Sequence, residues 1–245
     1  PDPPRRGELA ARLHVAAVAA HISPPGIRID ELSPTDWVAD YQQRTKPLKI
    51  GGFYIYPSHS RKAVPDNSIG IKMDAGLAFG TGEHETTEGC LLALEDLHGE
   101  GKTVASALDM GCGTGILAIA MARLWRATVL AADVDAVAVR LAAANAVANG
   151  LAKQIRTVAC DGYASPVIAA TAPFDLIAAN ILARPLIGMA PHLARHLAPG
   201  GAAVLSGLLG EQEDEVLAAH CAHGLRPGDA IRLGEWTTLV LRADG

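Results

Sequence analysis

Three glycines stand at every second position between Asp109 and Gly115, after one run of apolar residues and before another. This order predicts a buried strand, a tight turn and then a helix. Glycine has no Cβ, so such a turn lets a ligand approach the backbone and meet the N–H groups at the start of the helix. We therefore predict a cofactor site here. The alternative is a strand-to-helix turn that binds nothing.

The spacing of the glycines separates two classes of cofactor. A dinucleotide fingerprint is G-x-G-x-x-G, but Ile116 stands where its third glycine would be. With Asp109 in front, D-x-G-x-G-x-G resembles the first motif of class I S-adenosylmethionine (AdoMet) methyltransferases. The spacing therefore disfavours a nicotinamide dehydrogenase, which is the rival enzyme class.

Polar residues end three of the strands that the pattern predicts. Asp133 follows Gly111 by about 20 residues, where an acid can bond both ribose hydroxyls of a nucleotide. We assign that role to Asp133 and the N-cap of the next helix to Asp135, although Asp133 could also be only a cap. Asp161 would adjoin the adenine, or it is a turn residue that caps a helix.

Asn180 ends the fourth predicted strand. Its amide is both donor and acceptor, so it could bind the amino-acid end of the cofactor or orient an incoming amine. The alternative is a turn former at a strand end. Residues 78–87 are rich in glycine and threonine, and Thr87 with the N–H groups of a helix start could receive a carboxylate; an ordinary loop with a threonine cap is the alternative. The histidines form no cluster at metal-ligand spacing, so we predict no metal site.

Alternating strands and helices must position these residues. From residue 83 onward we predict strands at 104–110, 128–133, 156–160, 174–180, 202–208, 230–233 and 236–242, separated by helices at 86–97, 116–124, 136–149, 185–197 and 211–223. This alternation predicts an α/β fold, a doubly wound and mostly parallel sheet of seven strands that ends in an antiparallel hairpin. In front of it we predict a helix at 9–22 and strands at 48–50, 53–56 and 67–74.

The bulk composition excludes some classes of function. Hydrophobic residues make up 49% of the chain and the net charge is −5, so disorder and a dedicated nucleic-acid groove are both disfavoured. The four cysteines are far apart and include no C-x-x-C pair, which is typical of reduced thiols in the cytoplasm. We expect no signal peptide and no membrane span.

Several motifs together resemble one family, the ribosomal protein L11 lysine methyltransferases (PrmA family), in a compact form like that of alphaproteobacteria. The resemblance runs from about residue 35 to the C-terminus and rests on residues 36–38, 47–50, 75–87, 108–120, 179–183, 205–209 and 235–241. The stretch A-F-G-T-G-E-H-E-T-T at 78–87 is more specific than the glycine turn.

The resemblance implies an AdoMet-dependent protein-lysine N-methyltransferase. Its substrate would be ribosomal protein L11 before assembly, and it would be a cytoplasmic monomer that binds neither nucleic acid nor membrane. Asn180 would be the catalytic residue. Contacts to AdoMet are expected from Phe79, Gly80, Thr81, Thr87, Gly111, Gly113, Asp133, Asp161 and Asn180, with Phe79 and the turn at 80–82 closing over the cofactor.

The family also has an N-terminal domain that recognises the ribosomal protein. Because few residues precede Asp36, we expect a reduced or truncated recognition segment at 1–35, a linker with extended strands at 36–75, and the methyltransferase domain at 76–245. Asn180 is followed by Ile181 and Leu182, not by the Pro-Pro-aromatic sequence of enzymes that methylate amide or base nitrogens. This favours an aliphatic amine, either lysine or the N-terminal α-amine. The alternatives are a methyltransferase for another protein amine or a small-molecule amine, and a non-catalytic AdoMet-binding module.

Overall fold

The computed structural model describes residues 6–20, 22–27, 47–73 and 83–245. The chain divides into two compact units, Pro1–Arg44 and Thr45–Gly245. In the first unit the described residues form helix α1 (Arg6–Ala19), which begins and ends about three residues earlier than the predicted helix. No helix in the described part of the chain is long and apolar enough to cross a bilayer.

A small three-stranded sheet opens the second unit. Strands β1 (Leu48–Ile50) and β2 (Phe53–Tyr56) form an antiparallel hairpin, as predicted, and β3 (Ile69–Lys72) pairs with β2 in parallel. The turn of the hairpin is held by the Glu95 carboxylate, which accepts the Gly52 N–H at 3.0 Å. Ile50, Phe53, Ile55 and Ile71 are buried, so this sheet packs against the core of the same unit.

The main sheet has seven strands, which confirms the predicted fold class. Its order is β6-β5-β4-β7-β8-β10-β9, and β10 runs opposite to the other six strands, pairing antiparallel with β8 and β9. The elements are α2 (Glu83–Gly99), β4 (Ser106–Met110), α3 (Ile116–Trp125), β5 (Thr128–Asp133), α4 (Ala136–Ala148), β6 (Ile155–Ala159), α5 (Pro166–Thr171), β7 (Phe174–Asn180), α6 (Ala183–His196), β8 (Leu197–Leu209), α7 (Glu213–Cys221), β9 (Leu225–Leu233) and β10 (Trp236–Ala243).

Helices cover both faces of this sheet, which is why its central strands are continuous apolar runs without alternation. One buried cluster joins the sheet to α2, α3 and α4, and a second joins it to α5, α6 and α7. Because β4 to β8 run parallel in the order given, the carboxyl ends of β4, β5, β6 and β7 meet at one edge of the sheet. The glycine turn, Asp133, Asp161 and Asn180 all lie at or just beyond that edge.

Three elements of the main sheet and its helices differ most from the sequence prediction. Helix α5 was not predicted, because it has only six residues; Ser165 caps it by accepting the Val167 N–H. Strand β8 starts at Leu197 and β9 at Leu225, each five residues before its predicted start. The added residues include prolines and glycines, which propensity assigns to turns, but both strands gain pairing partners from the tertiary structure.

Candidate functional site

The glycine turn is shaped by bonds within the protein. The N–H groups of Gly111 and Cys112 both donate to the carbonyl of Ala132, at 2.8 and 3.0 Å. Gly111 and Gly113 have positive φ angles of 74° and 50°, a region that disfavours other residues. A Cβ on Gly111 would strike the side chain of Ile181, whereas a Cβ on Gly113 would meet no atom of the described residues within 4 Å. Packing within the protein therefore requires glycine at 111, whereas the described residues leave space beside the backbone at Gly113.

Asp109 lies beneath the turn, not in the site. Its carboxylate accepts the Ala118 N–H at 2.9 Å and so caps α3, whose own N-cap residue is a glycine. The side chain is only 1% exposed. Burial raises the pKa of Asp109 to about 7, and the charge of Asp133 adds to the rise. This residue stabilises the turn and does not face a ligand.

Asp133 and Asp135 have separate roles, as the sequence indicated for Asp135. One oxygen of Asp133 accepts the Gly113 N–H and the other accepts the Asp135 N–H, both at 2.9 Å. Asp135 accepts the Val137 N–H at 2.7 Å and is the N-cap of α4. Because each carboxylate oxygen has a second lone pair, Asp133 can still accept two hydroxyl protons.

A cavity of about 740 Å³ opens beside Asp133, within the size range of small-molecule sites. Gly111, Asp133 and Asp161 line it together, and its apolar walls come from Val134, Ile181, Leu182 and Met189. Asp161 does not cap α5, since Ser165 does, so the capping alternative for Asp161 is wrong. The cavity thus combines two carboxylates with apolar side chains, which suits a nucleoside.

Two thiols stand at this edge, on Cys112 and Cys160. Burial raises the pKa of both, and nearby carboxylates raise it further. Both groups therefore remain neutral thiols at pH 7, and neither is an activated nucleophile. The surroundings of Cys112 and Cys160 therefore disfavour covalent catalysis through these thiols.

Asn180 meets α2 on the other side of the glycine turn. Its amide nitrogen donates to the hydroxyls of Thr86 and Thr87, at 3.2 and 3.4 Å. The structure thus brings together Asn180 and Thr87, which the sequence singled out in stretches more than 90 residues apart. Thr86 was missed, although it belongs to the same stretch, because nothing in the sequence showed that it faces inward. It is 4% exposed.

The corner after Asn180 is held by β8. The Ile181 N–H donates to the carbonyl of Ser206 at 3.0 Å. Gly207 has a φ of +86°, and a Cβ there would collide with the backbone of Ile181. The stretch 205–209 had contributed to the family resemblance, but its role as the support of Asn180 appears only in three dimensions.

Helix α4 holds the glycine turn from the outside. Asn145 donates from its amide to the carbonyl of Thr114 at 2.9 Å. One turn later the side chain of Asn149 bonds both backbone groups of Lys72 in β3, at 2.9 and 2.8 Å. Sequence reasoning did not assign a role to either residue. The remaining predicted residues, Phe79, Gly80 and Thr81, lie outside the described residues.

Comparison with known proteins finds similar sequences and a similar crystal structure. Residues 7–244 match the model of the family described as ribosomal protein L11 methyltransferase (PrmA). Curated proteins of that name are similar to the chain: one from Brucella melitensis is 43% identical over 235 residues (96% of this chain and 80% of that protein), and one from Rhizobium leguminosarum is 46% identical over 223 residues (90% and 76%). A crystal structure described as ribosomal protein L11 methylase, from Lactobacillus delbrueckii, superposes with a TM-score of 0.72 at 28% identity, covering 82% of this chain and 99% of that one.

Proposed function

We propose that this chain, which belongs to the ribosomal protein L11 methyltransferase (PrmA) family, transfers methyl groups from AdoMet to lysine nitrogens, and to the N-terminal α-amine, of ribosomal protein L11. One observation carries the proposal. The carboxylate of Asp133, which suits a ribose, and the amide of Asn180, which suits an amine, flank the same glycine turn at one edge of the sheet.

The residues present fit AdoMet. The second lone pairs of Asp133 suit the two ribose hydroxyls. We propose that Asp161, which lines the same cavity, accepts from the adenine amine. The apolar walls suit the faces of the base. We propose that Gly111, Gly113, Thr87 and Asn180 adjoin the methionine half, together with Phe79, Gly80 and Thr81, which lie outside the described residues. AdoMet would supply a methyl group on a sulfonium.

The work left to the protein is to present a neutral amine behind that methyl group. A lysine with a pKa of about 10.4 is neutral about once in 2,500 molecules at pH 7, which costs about 4.6 kcal/mol. Apolar surroundings lower the pKa of an amine, and Ile181 and Leu182 follow Asn180 directly. Since the amide nitrogen of Asn180 bonds the two threonines, its oxygen is the acceptor that can hold an amine N–H and aim the lone pair.

Replacing the amide tests this role. We expect Asn180→Ala to lower kcat for methyl transfer to L11 by about 100-fold, because the lone pair of the amine is then no longer held in line with the methyl group. Incorporation of labelled methyl groups into purified L11 measures kcat. Calorimetry should show that AdoMet affinity falls much less than kcat, because the proposed ribose and adenine contacts of Asp133 and Asp161 remain.

The same assay separates the rival functions. Near wild-type turnover in Asn180→Ala would refute the role of the amide. Tight AdoMet binding by the wild type without transfer to any acceptor would support a binding module. Transfer to free lysine or another small amine, but not to L11, would support a small-molecule methyltransferase.

We also propose that the protein acts in the cytoplasm, as a monomer, on L11 that has not yet joined the ribosome. The net charge of −5 supports action on free L11, because ribosomal RNA would repel such a protein.

We propose further that residues 1–35 take part in recognising L11 and that the methyltransferase domain begins near residue 76. Rates on free L11 and on L11 within large subunits should differ strongly, and sedimentation gives the oligomeric state.

A further inference from the structure

We infer that Ser206 is a positioning residue for Asn180, acting through a buried cluster of two hydroxyls and a thiol. The cluster consists of Cys90 on α2, Ser206 on β8 and Thr238 on β10. It would fix the position of the start of α2, and so of Thr86 and Thr87, relative to Asn180 at the end of β7. This inference rests on the proposed function, because it concerns the same amide.

The three side chains contact one another inside the core, and the Ser206 hydroxyl also donates to the backbone carbonyl of Thr237 at 3.4 Å. The hydroxyls of Ser206 and Thr238 lie 2.7 Å apart and are hydrogen-bonded. The thiol of Cys90 interacts with both hydroxyls. All three residues are buried, at 0%, 0% and 2% exposure. Burying polar groups costs free energy unless they bond one another, so the cluster favours one arrangement of these elements over others.

Helix α2 packs on this cluster with almost no clearance. A Cβ added to Gly89 would strike the hydroxyl of Thr238. Gly89 and Cys90 follow Thr86 by three and four residues, so they lie on the same face of α2, one turn further along. The helix is therefore fixed to the sheet immediately next to the turn that carries the threonines.

Ser206 reaches Asn180 by two routes. Its backbone carbonyl accepts the N–H of Ile181, the residue after Asn180, and Ser206 is the β8 residue that stands opposite Asn180 in the strand register. Its side chain holds the cluster that fixes α2, whose threonines accept from the amide of Asn180. Removing the hydroxyl keeps the hydrogen bond between the Ser206 carbonyl and Ile181 and breaks the side-chain contacts of Ser206 in the cluster.

We expect Ser206→Ala and Thr238→Val to lower kcat for L11 methylation about tenfold, since small displacements of a positioning group have effects of this order. The KM for AdoMet should change much less than kcat, because the proposed ribose and adenine contacts of Asp133 and Asp161 lie at the ends of other strands. Thr238→Ser keeps the hydroxyl and should retain wild-type kcat. Ser165→Ala is the matched control: it also removes a buried serine hydroxyl bond, but at the start of α5.

Two further measurements decide between positioning and mere stability. Combined with Asn180→Ala, Ser206→Ala should lower kcat no further, since residues that act through one another are not additive. In the full-length protein, hydrogen exchange in the first two turns of α2 should rise in Ser206→Ala and not in Ser165→Ala. Loss of stability with unchanged kcat and unchanged exchange in α2 would overturn the inference. Failure of the wild type to methylate L11 would overturn the proposed function instead, and the exchange experiment would still test the cluster.

Discussion

At the scale of single residues, two aspartates show how position decides role. Asp133 and Asp135 are two residues apart on the same strand-to-helix turn. Asp135 bonds the first turn of α4, whereas Asp133 bonds the glycine turn and lines the cavity. The same chemical group therefore stabilises a helix at one position and, as we propose, binds a ribose at the other.

Exchanging each carboxylate for an amide should separate these roles. Asp133→Asn loses an acceptor and a charge, so we expect AdoMet affinity, measured by calorimetry, to fall by about 10- to 100-fold. Asp135→Asn is the control. Asparagine is an equally good N-cap, so both AdoMet affinity and the free energy of unfolding should stay close to wild type. Equal losses of affinity in the two variants would contradict the assignment.

Sequence alone identified residues that follow strands, because the carboxyl ends of parallel strands converge wherever the fold is doubly wound. That rule was enough for Asp133, Asp161 and Asn180. It could not identify Thr86 or Gly207. Their importance comes from contacts with residues about 95 and 26 positions away in sequence, and no local pattern encodes such a contact.

At the scale of elements, α4 fastens two parts of the second unit. Asn145 holds the glycine turn through Thr114, and Asn149 bonds the backbone of Lys72 in β3 as a neighbouring strand would. The amide of Asn149 also donates to the carbonyl of Asn145. The small sheet and the glycine turn are therefore connected through one face of a single helix.

Removing this connection should be costly. Asn149→Ala leaves the N–H and the carbonyl of Lys72 without their partner, so we expect the free energy of unfolding to fall by about 2 kcal/mol in chemical denaturation. Asn149→Asp keeps the acceptor for the Lys72 N–H and loses the donor to the carbonyls of Lys72 and Asn145. It should therefore lie between wild type and Asn149→Ala. Two variants of equal stability would contradict the paired bonding.

Hydrophobic periodicity predicted the order and type of nearly all elements of the main sheet, because both faces are buried and the apolar runs are long. It failed where the local sequence is polar or short. Strand β9 includes Arg226, Pro227 and Gly228, which lower strand propensity. They are tolerated because β9 is an edge strand that pairs on one side with β10.

At the scale of the whole molecule, two buried groups give stability opposite dependences on pH. Burial lowers the pKa of His220 on α7 to about 4, from 6.5 in the unfolded chain. The pKa of Asp109 moves the other way, to about 7. As pH falls from 7 to 5, protonation of the unfolded chain at His220 favours unfolding, whereas protonation of Asp109 in the folded protein favours folding.

The contribution of His220 can be isolated by comparing variants. Because the pKa of His220 is lowered in the folded protein, the free energy of unfolding is not reduced by this residue above pH 6.5. It falls as pH drops from 6.5 towards 4, where only the unfolded chain binds the proton. Between pH 7 and pH 5 we expect the wild type to lose about 2 kcal/mol more of its free energy of unfolding than His220→Gln loses. Chemical denaturation at several pH values measures it. Parallel pH profiles for the two proteins would show that His220 does not titrate in this range.

The glycine turn has its shape fixed by bonds that belong to the protein, from Asp133 to Gly113 and from Asn145 to Thr114. As we assign them, the contacts from Asp133 and Asp161 go to the ribose and the base, and these parts do not change when the methyl group leaves. The spent cofactor should then be retained by the same contacts as the donor. Turnover in the cell would follow the ratio of fresh to spent cofactor, so that the degree of L11 methylation would report on how quickly the cell clears and regenerates its methyl carrier.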